Sequence, residues 1–377
     1  MCTSYDVIVI GAGSMGMSAG YYLAKRGAKT LLIDAFDPPH NNGSHNGDTR
    51  LIRHAYPGGA IYTELALRSH ELWNELEAES GEKLLVASGV LNLAAPDIIS
   101  FAEKLGSAAA FGVETEYLKA DEIRKRWPGV QLPEFYEGLY EPNAGYLLSE
   151  RCVAAYRNQA IAAGAELLIN TRTTKLEKDG EGVAVYTDKG DVYRAGKVIV
   201  SAGAWFKTVE PFLTLPIQPI RKTVGWFQAE ESLFDESVFP GFTLSTSNGG
   251  YYGFPSSGGS GLKIGRHDTG VLWQPGEEFQ PFGSYTEDEA DIRQALESFM
   301  PKAAGKLLRG AVCKYEFSPD EDFIIDFHPE LSNVVIAGGF SGHGFKFASS
   351  VGELLADLAL KGSTTRDIGI FSLSRFR

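Results

Sequence analysis

Apolar runs, helical stripes and strand alternation succeed one another along this chain in a readable order. Residues 6–10 (DVIVI) form a short β-branched run of the kind a parallel sheet buries on both faces. Residues 18–26 (SAGYYLAKR) read as a helix closed by Gly27, and residues 29–33 as a second strand ending at Asp34. Leu65, Leu72, Trp73 and Leu76 share one face of a helix that Gly81 stops, which puts His70 on the opposite, polar side. Between residues 84 and 144 the pattern shortens to strands and turns such as GVLNLAA, WPG and LPEF. Ser149 is expected to cap a helix through Ala163, on which Cys152, Tyr156 and Ala160 share a core face. AELLIN, TKLEKD and GVAVYTDKGDVY follow as strands, with a hairpin turn at Asp188-Lys189-Gly190. Residues 197–205 (KVIVSAGAW) read as another buried strand running into small residues. Residues 216–312 are rich in strands and aromatic side chains, with Gly258-Gly259-Ser260-Gly261 ahead of a strand at 262–265. At the C-terminal end, residues 333–337 form a strand, 338–344 a glycine-rich turn, and the chain from Lys346 a helix.

The first of these stretches carries a ligand signature. Gly11, Gly13 and Gly16 stand at the G-x-G-x-x-G spacing between strand and helix. Gly11 permits the tight turn, Gly13 lets backbone approach a pyrophosphate, and Gly16 allows close helix–strand packing. The helix start offers free N–H groups and partial positive charge to phosphate. Asp34 follows Gly16 by about 20 residues, where an acid takes ribose hydroxyls. An acid there favours FAD or NAD over NADP, because it repels a 2′-phosphate. The polar loop of residues 38–54 (PPHNNGSHNGDTRLIRH) holds three of the seven histidines and is expected to return to the cofactor.

Composition narrows the class. With 377 residues the chain exceeds one typical core. A strand–glycine–helix unit at each end predicts an α/β plus α+β two-domain chain. A Rossmann-like dinucleotide-binding domain, for FAD or NAD, is expected from residues 1–83, 145–215 and 314–377. A discontinuous antiparallel-sheet substrate domain is expected from 84–144 and 216–313. A net charge of −13 argues against nucleic acid or an anionic membrane as partner. No apolar run reaches the roughly 18 residues a membrane span needs. The first strand begins almost at once, leaving no room for a signal peptide, so a cytoplasmic location is expected. Cys2, Cys152 and Cys313 are too far apart to suggest a disulfide framework or zinc site.

Four stretches carry a resemblance that spans the chain: VIGAGSMG, GSHNGDTRLIRHAY, RGAVCKYEFSPDEDFIID and GGFSGHGFKFASSVGE. Together they resemble the family of monomeric sarcosine oxidase and N-methyltryptophan oxidase. The resemblance implies a monomeric flavoenzyme oxidising secondary amino acids that carry a free carboxylate, with O2 as acceptor and H2O2 as product. It implies FAD joined covalently to the protein through Cys313. Read from its neighbours alone, a thiol between Val312 and Lys314 is only a candidate, since a free cysteine is usually a small core residue.

The same resemblance assigns further roles. Lys263 in GLKIG, which otherwise reads as a strand lysine facing solvent, becomes the cation that handles oxygen. A fixed, poorly solvated ammonium stabilises the anion formed when O2 takes its first electron. Arg53 and Lys346 become the pair holding the substrate carboxylate, which a planar guanidinium suits. A lysine near a helix start opposes the macrodipole, a hint that it serves a ligand. His45 and Arg50 match positions beside the flavin ring, where a cation would steady negative charge, and Ser44 joins the cofactor contacts. Tyr252 and His267 match pocket residues, Tyr315 an aromatic wall, and Gly342, His343 and Gly344 the loop beneath the cofactor.

Two departures stand out. His45 is followed by Asn46 where the family commonly has a second histidine, and Thr243 occupies a pocket position that holds methionine in sarcosine-preferring members. A smaller residue implies a roomier cavity for a bulkier N-substituted amino acid. Within the family, fructosyl amino acid oxidase and cyclic imino acid oxidase are the alternatives. Outside it stand an NAD-dependent dehydrogenase and a non-catalytic nucleotide-binding module.

Overall fold

Strand Ser4–Ile10 is the middle of a parallel sheet, paired with Thr30–Ile33 on one edge and with Val192–Val200 on the other. Glu166–Leu168 extends the first edge and Val334–Gly338 the second, both in parallel. Ile324–Phe327 closes the outer side antiparallel to Val334–Gly338. The computed structural model describes residues 4–57, 59–209 and 212–376, so Cys2 lies outside the described residues. Every residue of Thr30–Ile33 and of Val334–Gly338 is buried, as the unbroken apolar runs require.

The expected separate strands at GDVY and KVIV are one strand, Val192–Val200. Its first half pairs antiparallel with Gly182–Thr187, and its second half lies in the parallel sheet between residues 4–10 and 334–338. Pattern cannot reveal that continuity, because the two halves have different neighbours and so different burial. The glycine-flanked helix is Ser14–Lys25 and begins four residues earlier than its apolar stripe. Ser149 is the first residue of helix Ser149–Ala162, not its cap, and its hydroxyl turns to Glu150.

The C-terminal helix Ala348–Lys361 lies against both Ser14–Lys25 and Ala60–Ser80. Small residues permit the approach: a Cβ on Gly352 would come within 2.2 Å of the Ser18 hydroxyl, and Ser69 and Ser350 hydroxyls meet at 2.6 Å. Gly81 ends Ala60–Ser80 in the left-handed conformation, as expected.

A second sheet of nine strands takes residues 90–141 and 218–317. Its spine is Gln218–Phe227, which pairs along its length with Leu307–Phe317 and, on its other edge, with Leu262–Arg266. Strand Leu307–Phe317 runs unbroken through residues 313 and 314, where the sequence places a domain boundary. A small third sheet joins Thr49–Ile52, Gly145–Leu148 and Leu85–Val86. No helix among the described residues is long and apolar enough to cross a membrane.

Candidate active site

Two cavities open between the sheets and share a wall of Arg50, Tyr315, Gly342 and Phe345. The first is built by the N-terminal strand–turn–helix. A Cβ on Gly16 would lie 1.8 Å from the Gly11 carbonyl oxygen, and one on Gly11 would lie 2.5 Å from that of Ser201. Gly13, by contrast, faces the cavity, with only His45 within 4.0 Å of a built Cβ. No side chain caps the helix that starts at Ser14, which leaves its N–H groups to a ligand. Asp34 lies at the wall, oriented by the Ala12 and Phe36 N–H groups at 2.7 and 2.9 Å and by His40 at 3.3 Å. This open glycine cradle, with an acid in the wall of the same cavity, fits the phosphates and ribose of FAD.

The polar loop returns to this cavity, which Asn42, Gly43, Ser44 and His45 line. Ser44 Oγ donates to the Lys314 carbonyl at 2.5 Å and Asn46 Nδ2 to that of Val312 at 3.2 Å. The loop is thereby pinned on both sides of Cys313. The departure from a second histidine is a residue whose short amide makes one of those two bonds. Arg50 is held by the carbonyls of Ser44, Asn46 and Thr49 at 2.6–2.7 Å. His45 is not the cation expected beside a flavin. Burial, then His40 and Arg50, hold it down to about 3, and its Nε2 accepts the His40 N–H at 3.0 Å. Of these two, Arg50 carries the charge.

Cys313 is buried on Leu307–Phe317. Burial pushes its thiol up, against the pull of Arg50, Lys263, Lys222 and Lys314. Lys263 is buried too, at 2% exposure, and does not face solvent. Its ammonium donates to the Gly47 carbonyl and, at 3.1 Å each, to the Thr49 carbonyl and hydroxyl. It lies over the rings of Phe254 and Trp226, and burial followed by Arg50 lowers its pKa far below the usual lysine range. Cys313 and Lys263 are not among the residues lining either cavity, and both feel the charge of Arg50 in the shared wall.

The second cavity, about 360 Å³, is lined by Arg53, Lys346, Tyr252, His267, His343 and Thr243, among others. Arg53 and Lys346, 293 positions apart in sequence, flank Tyr56. The guanidinium lies 4.7 Å from the ring centroid and the Lys346 ammonium donates to the phenol at 2.8 Å. Lys346 also donates to the His343 carbonyl at 2.6 Å, and Trp73 holds the Lys346 carbonyl at 2.8 Å. Arg53 Nη1 is buried with no partner. Lys346 sits in the 3-10 turn Phe345–Phe347 before the last helix, and burial with Arg53 lowers its pKa far below normal. Tyr252 and Tyr315 hydroxyls meet at 3.0 Å. His267 is held down to about 4 by burial, Lys222 and the Arg53–Lys346 pair, so it is neutral at pH 7. His343 is lowered to about 3 by burial and Lys346, and stacks on Phe323 at 4.8 Å. Gly342 and Gly344 line the first cavity on either side of it.

Several site residues escape the sequence pattern. Tyr56 ends the GSHNGDTRLIRHAY stretch but carries no spacing signal. Glu316, buried in the first cavity with an unpartnered Oε2, has its carboxyl pushed up to about 8 by burial. Lys104 reaches the second cavity from helix Ala102–Phe111. His70, on the polar side of its helix, is half-buried and bonded at 2.9 Å to His54 of the segment that follows strand Thr49–Ile52.

The profile of the FAD dependent oxidoreductase family matches residues 6–358. Monomeric sarcosine oxidase of Bacillus sp. (strain B-0618) is 53% identical over all of this chain and 97% of its own length. N-methyl-L-tryptophan oxidase of Salmonella arizonae is 44% identical, covering 99% of each. Among solved structures, NikD, an unusual amino acid oxidase essential for nikkomycin biosynthesis, superposes with a TM-score of 0.85 at 26% identity, over 98% of this chain and 97% of its own. L-proline dehydrogenase of P. horikoshii shares the fold, with a TM-score of 0.83 at 24% identity over 100% and 98%.

Proposed function

This chain belongs to the FAD dependent oxidoreductase family, and from that premise we propose that it oxidises secondary α-amino acids with O2, releasing H2O2. The alternative of a nicotinamide-dependent dehydrogenase falls with the family. One observation carries the reading: a dinucleotide cavity shares a wall with a cavity in which Arg53 Nη1 is buried without a partner beside Lys346. An anionic group is the ligand that such a pair lacks, and a carboxylate matches the planar fork.

Gly13, the start of helix Ser14–Lys25, Asp34 and Ser44 would hold FAD, which supplies the two-electron acceptor when bound. Arg53 and Lys346 bind the carboxylate and thereby orient the rest of the amino acid towards the shared wall. Among the described residues the cavity lining includes no acidic side chain, and four basic groups border it at Arg50, Arg53, Lys104 and Lys346. That field disfavours an ammonium and favours the neutral amine, the form with a lone pair to give. Tyr252, Tyr315 and a neutral His267 shape the space around the amine. Lys263 stands ready to stabilise negative charge as oxygen is reduced. Cys313 is the candidate for covalent attachment: Arg50, Lys263, Lys222 and Lys314 pull towards its thiolate, against the burial that pushes the thiol up. The two large sheets are proposed as the cofactor and substrate domains, in a monomer. Two buried free thiols accord with a reducing, cytoplasmic setting.

A peroxide-coupled screen of sarcosine, N-methyltryptophan, fructosyl-valine, fructosyl-glycine and pipecolate tests the activity. Peroxide formed in step with an N-methyl amino acid is expected. A preference for primary amines, or oxidation without peroxide, overturns the reading.

A further inference from the structure

Lys104 is a cation of the substrate cavity that the proposed reaction does not use. It stands half-buried on helix Ala102–Phe111, where its ammonium lies 5.6 Å from the Phe101 ring centroid and makes one long hydrogen bond, to Asn92 Oδ1 at 3.4 Å. An ammonium has three donors, so at least two are left for a ligand. Asn92 cannot neutralise it. The amide oxygen is shared with the Thr243 hydroxyl at 3.0 Å, and the amide nitrogen is committed to the Leu139 carbonyl at 3.0 Å. Glu141 is the acid nearby, buried at 1% exposure, and it already accepts the N–H groups of His54 and Ala55 at 2.7 and 3.1 Å. No ion pair joins it to Lys104 among the described residues.

The electrostatics make this cation expensive to leave alone. Burial and the Arg53 charge bring Lys104 down to about 7, with only Glu141 opposing. Arg53 is also the charge that presses on Lys346, so it stands electrostatically between the two lysines. An α-carboxylate on Arg53 and Lys346 answers one part of this cationic lining. Lys104, with the hydroxyls of Thr243 and Ser245 in the same cavity, remains unanswered.

We propose that Lys104 binds a second anionic group, so that this site prefers secondary α-amino acids with an acidic side chain. The proposal rests on the amino acid oxidase reading for its turnover, but the anion site itself is testable by binding alone. It also gives a physical sense to Thr243: a small hydroxyl residue there, bonded to Asn92, keeps the space in front of Lys104 open and polar.

Glutarate and glutaramate differ in one carboxylate and probe the site without chemistry. Titrated into the holoenzyme and followed by flavin absorbance, glutarate should bind at least about tenfold tighter, the scale of one partly desolvated ion pair. K104M should bring that ratio close to one, and K104R should keep it. The parallel kinetic ratio is kcat/KM for N-methyl-L-glutamate over N-methyl-L-glutamine, which should exceed one in the wild type and collapse in K104M. Equal binding of glutarate and glutaramate by the wild type overturns the proposal, a comparison that needs no variant to fold. A preference that survives in K104M overturns it as well. Tight glutarate binding without oxidation of any N-methyl amino acid would uphold the anion site and overturn the oxidase reading instead.

Discussion

Lys222 is the direct antiparallel partner of Cys313, one on Gln218–Phe227 and the other on Leu307–Phe317. Partners across a ladder project to the same face of the sheet, so a lysine is built next to the thiol by register alone. Lys222 is itself held by the carbonyls of His267 and Thr269 and lowered to about 8 by burial. The pair ties the candidate flavin-linking cysteine to the same segment that carries His267 into the substrate cavity.

If Cys313 carries FAD, acid-precipitated wild-type protein stays yellow on the polypeptide. Cys313→Ser should release the colour into the supernatant while leaving the sheet intact. Retention of flavin on the denatured variant would sink the assignment. Lys222→Met should slow attachment in protein made without FAD and then loaded, because the thiolate loses a neighbouring charge.

The carboxylate clamp predicts a graded loss. Arg53→Met should lower kcat/KM for N-methyl amino acids by about 10²–10³-fold, the cost of removing one partner of a buried charge pair. Arg53→Lys should recover part of it, since charge survives but the two-pronged geometry does not. Steady-state kinetics of both variants checks this, and wild-type kcat/KM in Arg53→Met would remove the clamp.

Lys263 predicts a separation of half-reactions. Stopped-flow mixing with O2 after anaerobic reduction should be slowed at least about 100-fold in Lys263→Met, the range for loss of one preorganised electrostatic contact. Reduction by substrate should change far less. A wild-type oxygen rate would refute the assignment.

Stability should fall on the acid side. His45, His267 and His343 are held at about 3, 4 and 3 in the folded chain. The unfolded chain takes up those protons near pH 6.5. Their contribution is therefore complete above pH 6.5 and is lost as pH falls towards 4, at up to about 1.4 kcal/mol per histidine per pH unit. Glu316 has the opposite sign. Its carboxyl is raised to about 8, so its contribution is full below about pH 4.5 and is lost as pH rises through 8. Thermal unfolding of wild type and Glu316→Gln from pH 5 to 8 should show the variant gaining relative to wild type as pH rises. A constant gap would show that Glu316 ionises normally.

The dinucleotide half of this protein was legible because its requirements are local. Gly11, Gly13, Gly16 and Asp34 answer to a turn, a close approach and a cavity wall within one strand–helix–strand unit, and a single sequence window contains them all. Cys152 and Gly81 were legible for the same reason, one as a core position on a helical face and the other as a helix stop. The pairing of His70 with His54 and the continuity of Val192–Val200 depend on neighbours outside each element, which its own pattern does not carry. The resemblance supplied Lys263, Cys313, Arg53 and Lys346 as candidates without saying what each touches. Only the tertiary structure decided that Lys263 is buried and bonded to Gly47 and Thr49, that His45 is neutral, and that Arg53 and Lys346 border one cavity with Lys104. Burial and charge–charge distance set those states, and both depend on what the chain brings together across hundreds of residues, which no local pattern encodes.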